Sequence, residues 1–127
     1  MQLATVTIVV PDYDEAIAHY CGALGFSLVE DTPLSATKRW VVVAPGEGGA
    51  HILLAKADGA SQRARVGDQT GGRVAFFLTT DDFAATHQKF SEAGIAFLEA
   101  AREEPYGRVA KFRDAFGNLW DLIEPSR

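Results

Sequence analysis

Two stretches decide how this chain folds: VVPDYDEAIAHYCGALGFSLVE at 9–30 and LTTDDFAATHQKFSEAGIAFLE at 78–99. Each leaves an apolar, strand-like run and passes through acidic residues suited to cap a helix. Each then shows helical spacing, stops at a glycine (Gly25, Gly94) and restarts on an apolar residue (Phe26, Ile95). In the first, Asp12 or Asp14 is the expected cap, and Ile17, Tyr20 and Leu24 fall at i, i+3 and i+7, one apolar face.

Working outward, QLATVTIVV (2–10) precedes the first stretch, and strand-like FSLVED, TKRWVVVAP and AHILLAKA follow from its end. GRVAFFLTT (72–80) leads into the second, and IAFLEA, YGRVAKFRD and NLWDLIE follow. Turn residues punctuate both sets. The chain is therefore a β-α-β-β-β unit written twice, about 70 residues apart. The expected class is α+β: one domain of two modules, about 1–57 and 72–127, joined by a polar, Gly-rich linker at 58–71. A single module leaves one sheet face uncovered, so the expected arrangement is two sheets enclosing a concave space, with the helices outside.

At 127 residues and 47% hydrophobic, the chain is of single-domain size and can bury a core without staples. One cysteine, Cys21, excludes an internal disulfide and a Cys-rich zinc module. The formal charge of −5, with no basic block, argues against a nucleic-acid backbone or an anionic membrane as partner. No apolar run approaches the ~20 residues of a membrane span, and the first residues lack the basic region of a signal peptide. A cytoplasmic location is the expectation.

The repeat, with VVPDYDEAIAHYCGALGF (9–26) in one half and EPYGRVAKFRDAFGNLWDLIE (104–124) in the other, resembles the vicinal oxygen chelate superfamily. Glyoxalases, extradiol dioxygenases and bleomycin-resistance proteins belong to it. The Phe-Arg-Asp-x-x-Gly-Asn segment, Phe112 to Asn118, is fairly specific for it; Ala115 stands where the family usually has proline. The resemblance implies a half-open barrel of two modules and, commonly, a homodimer. It also implies four places for metal ligands, which here fall on Thr5, Leu53, Ala75 (or Val74) and Asp121. One carboxylate in four is a poor donor set for a divalent ion, which needs several convergent oxygens or nitrogens. No metal or other cofactor is therefore expected.

Asp121 and His51 are the candidates for acid–base chemistry. Asp121 alternates with Leu119 and Ile123 toward the cavity, where apolar neighbours would raise its pKa. His51 lies two residues from Leu53 and shares its face, unless it sits exposed at the strand start. Thr5, Trp40, His51, Phe77, Arg108, Phe112 and Asp121 are the expected ligand-lining residues, and Arg39, Arg73 and Tyr106 lie at strand starts near the rim. His19, His87 and Cys21 read as packed helix residues. Three functions stay open: a metal-free protein binding a small molecule, a metal-dependent lyase or dioxygenase of the glyoxalase type, and a scaffold with a filled cavity.

Overall fold

The computed structural model describes residues 1–127, which divide into two compact units, Met1–Gly67 and Asp68–Arg127. In the first unit, β1 (Thr5–Val10) leads through α1 (Tyr13–Ile17) to β2 (Ser27–Pro33), β3 (Arg39–Ala44) and β4 (His51–Lys56). A short helix, α2 (Gly59–Arg63), follows. The strands lie in the order β1-β4-β3-β2, with β1 parallel to β4 and the other pairs antiparallel.

The second unit repeats the plan. β5 (Phe76–Thr79), α3 (Phe83–Glu92), β6 (Ala96–Phe97), β7 (Arg102–Glu104), β8 (Gly107–Arg113) and β9 (Leu119–Pro125) follow one another. The order is β5-β9-β8-β6, with β7 also on β8 and β5 parallel to β9. The strand expected over 95–100 shortens to Ala96–Phe97, and a separate short strand not expected from sequence, Arg102–Glu104, also pairs with β8. Both sheets are open, and the chain is α+β with two tandem β-α-β-β-β units.

The helix signals read from sequence hold in detail. Asp12 accepts from the backbone N–H of Glu15 at 2.9 Å, and Asp82 from that of Ala85 at 3.0 Å, so each helix opens on an aspartate cap. Gly25 (φ 74°) and Gly94 (φ 90°) provide the left-handed turn after each helix. One feature departs from expectation: α1 widens into π-helical turns over Ala18–Ala23. Because of that extra residue per turn, Ala16, Tyr20 and Leu24 face the core at spacings of four, and Ile17 is left half-exposed.

Alternation along the strands assigns each sheet a helix-covered face and a helix-free face. In the first unit Ile8, Val10, Val41, Val43, Ile52 and Leu54 are buried on the helix side. In the second, Phe112 stacks on Trp120 (5.8 Å between ring centroids) and meets Phe90 edge-on (5.5 Å). This aromatic layer is the core of the second unit.

The segment expected as an unstructured linker holds α2, where the Gln62 side chain accepts from the backbone N–H of Asp58 at 2.8 Å. No helix is long and apolar enough to cross a membrane.

Candidate functional site

The helix-free faces collect most of the residues that the sequence singles out. In the first unit Thr5 pairs with His51, and Thr7 with Leu53. Leu53 pairs in turn with Val42, which alternates with Trp40 along β3. Thr5, His51, Leu53 and Trp40 therefore share one face, as alternation requires. Trp40 is 41% exposed there.

In the second unit the corresponding row runs across β5, β9 and β8. Phe77 pairs with Asp121, and Asp121 with Lys111. The parallel pair Thr7 and Leu53 has the same place in its sheet as Phe77 and Asp121, so Leu53 and Asp121 are equivalent positions of the repeat. Ala75, whose backbone N–H donates to the carbonyl of Leu119, lies one step before β5, as Thr5 lies two residues before Thr7.

Asp121 is the most unusual group on these faces. It is only 6% exposed, and its Oδ1 is buried and accepts no hydrogen bond from the protein. Burial pushes its pKa up, while the charges of Arg102 and Lys111 oppose the shift and that of Glu99 adds to it. Around it, Glu99 is tied in place: one carboxylate oxygen accepts from the backbone N–H of Lys111 (3.0 Å) and from Arg102 Nε (3.1 Å). Arg102 also holds Glu104 at 2.7 Å and donates to the Tyr106 hydroxyl at 3.3 Å.

This environment does not suit a divalent cation. Of the four ligand places, Thr5 brings a neutral hydroxyl and Leu53 and Ala75 no donor. The carboxylate that remains is flanked by Lys111 and Arg102, whose charges repel a metal ion.

A raised carboxyl pKa is also a statement about stability. Asp121 holds its proton more tightly folded than unfolded, so its cost is absent below the ordinary carboxylate pKa and appears as pH rises through the folded value. Asp121→Asn removes that cost. The variant is expected to melt higher at pH 7 and to lose that advantage in acid, below the ordinary carboxylate pKa. Thermal melts across pH check this; an equal gain at every pH would show that ionisation is not its source.

Two expected lining residues face the other way. Phe112 is wholly buried because its register partner is Trp120, on the helix side. Arg108 pairs with Glu124 on that same side, with its guanidinium carbon 5.0 Å from the Phe83 ring centre. Among the rim candidates, Arg39 is a structural tie, joined to Asp14 at 2.8 Å and Asp31 at 2.7 Å and lying over the Tyr13 ring. His87 packs between the rings of Phe83 and Phe97, at 5.6 and 4.0 Å, and His19 meets Tyr20 edge-on. Cys21 is half-buried, and burial raises its thiol pKa.

The reading from sequence missed Lys111, Arg102 and Glu99. Lys111 and Arg113 alternate with Ala110 and Phe112, which is a legible signal, but only the β8–β9 register shows which set meets Asp121. It also missed the work done by the Phe112–Asn118 segment. Asp114 is buried there and accepts four hydrogen bonds: from the backbone N–H groups of Phe116 and Asn118, the Asn118 amide and the Trp120 indole, at 2.9–3.0 Å. It shapes the β8–β9 turn and so sets the register that places Asp121 beside Lys111.

Known proteins bear the fold out. The chain is 47% identical over 121 residues, 94% of its length, to an uncharacterized protein of Shewanella frigidimarina, of which the match covers 90%. The crystal structure of UcmS2 superposes with a TM-score of 0.84 at 28% identity, covering 98% of both chains. That of TnmS3, described as an antibiotic binding protein from Streptomyces sp. CB03234, gives 0.80 at 28% identity, covering 99% of this chain and 97% of that one. Residues 2–122 match a single family model, and with the repeated β-α-β-β-β unit that match places the chain in the glyoxalase/bleomycin resistance protein/dioxygenase superfamily.

Proposed function

We infer that this protein binds a small organic molecule, without a metal ion, on the helix-free faces of its sheets. The observation that carries the reading is the chemistry at the family's ligand places. Thr5, Leu53 and Ala75 offer no charge to a cation, and Asp121 sits among Lys111 and Arg102. Exposed aromatic area on the same faces, Phe77 at 64% and Trp40 at 41%, supplies contact surface for an apolar or aromatic ligand. The antibiotic-binding neighbour supports a ligand of that general kind.

A metal-dependent lyase or dioxygenase of the glyoxalase type is the alternative, and no feature of these faces favours it over binding alone. The reading includes a cytoplasmic protein acting as a C2 homodimer, the commonest closed assembly, to be seen as a particle of roughly twice the chain mass in light scattering.

Thermal-shift screening against aromatic natural products, antibiotics among them, tests the proposal. At a hundredfold excess over Kd, one ligand per chain stabilises by about 2.7 kcal/mol, a rise of roughly ten degrees in Tm. Divalent metals alone are expected to leave Tm unchanged. A rise with Ni, Zn, Mn or Fe and none with any organic compound would overturn the reading.

A further inference from the structure

The row Phe77, Asp121 and Lys111 lies on one face of three adjacent strands, β5, β9 and β8. Neighbouring strands are about 4.8 Å apart, so the three side chains span roughly 10 Å in a line. Their chemistry changes in order: an aromatic ring, a hydrogen-bond acceptor, a cation. None of the three is consumed by the protein itself. Phe77 is 64% exposed where its strand neighbours Phe76 and Leu78 are half-buried. Asp121, more than nine-tenths buried, keeps an oxygen with no donor. The Lys111 ammonium forms no ion pair within 4.0 Å, and its charge bears on the Asp121 carboxyl at longer range.

Resting on the small-molecule reading above, we propose that this row selects an aryl compound whose ring is followed by an N–H or O–H donor and then by an anionic group. The ring covers Phe77, the donor meets the Asp121 carboxyl and the anion meets the Lys111 ammonium. The carboxyl torsion of aspartate is broad, so a partial turn, short of the two-fold exchange, brings the buried Oδ1 of Asp121 toward the donor. An unmade hydrogen bond at a buried acceptor is costly, so a ligand that supplies the donor is favoured over one that does not. The carboxylate–ammonium contact adds charge-assisted strength and fixes the direction in which the ligand lies.

N-(2-naphthoyl)glycine has these groups in this order: naphthyl ring, amide N–H, carboxylate. Its ester analogue, 2-naphthoyloxyacetate, lacks only the donor, and its glycinamide analogue lacks only the anion. Titration calorimetry of the three compounds into the full chain is the test. The amide acid is expected to bind about tenfold more tightly than either analogue. Phe77→Ala, at an exposed position that leaves the core intact, is expected to weaken the amide acid about tenfold. Asp121→Ala should abolish the preference for amide over ester, and Lys111→Met the preference for acid over glycinamide, with thermal melts confirming that each variant is folded.

Equal binding of amide and ester to the wild type, or unchanged binding to Phe77→Ala, would overturn the proposal. So would failure of all three compounds while other molecules in the screen bind, an outcome that leaves the small-molecule reading standing. If no organic compound binds at all, that reading falls and this proposal with it.

Discussion

Asp114→Ala is expected to destabilise the protein by about 3–5 kcal/mol, a large share of the roughly 5–15 kcal/mol by which domains are stable. The carboxylate is 4% exposed and satisfies four donors, two on the turn backbone and two on the buried side chains of Asn118 and Trp120. Alanine leaves all four donors without that partner and opens a void beside the largest fully buried side chain of the molecule, Trp120. The loss should appear in urea unfolding as a midpoint shifted far down, or as a chain that is recovered unfolded. Asp114→Asn keeps one acceptor oxygen and is expected to lose about half as much. An unchanged midpoint for the alanine variant would mean that the turn does not depend on this carboxylate.

Gly107→Ala is expected to cost roughly 2–3 kcal/mol for two reasons that act together. Gly107 has φ +151°, a conformation that side chains with a Cβ rarely adopt. An added Cβ also runs into the backbone carbonyl oxygen of Glu124 on the paired strand and lies 3.0 Å from the Pro125 Cα. The strand end has little room to retreat, since the Glu124 carboxylate holds the first N–H of α3, on Phe83, at 2.9 Å. A fall in the urea midpoint without a change in slope is the expected result. A midpoint equal to the wild type's would show that the end of β9 yields freely.

What was legible in the sequence was local or repeated. Asp12, Asp82, Gly25 and Gly94 mark helix ends through chemistry confined to a few residues, and their recurrence about 70 residues apart exposes the repeat. His51 and Leu53 share a face by alternation alone. Phe112 and Arg108 fell on the wrong face for the opposite reason. Their placement depends on which residue of β9 each meets, and that register is imposed by the turn around Asp114. The meeting of Phe77 with Asp121 is a parallel pairing between distant segments, which no local pattern encodes. The π-helical turns at Ala18–Ala23 likewise leave no clear mark, because the apolar residues there fit a 3.6-residue period equally well.

Binding of an organic ligand without a metal is open to a direct test. Titration calorimetry settles it when the screen's strongest compound is added to protein stripped of metal and kept in excess EDTA. Saturable binding near one molecule per chain, with the same Kd after Ni, Zn, Mn or Fe is restored in place of the chelator, is the predicted result. Binding that vanishes in EDTA and returns only with one equivalent of metal per chain would contradict it.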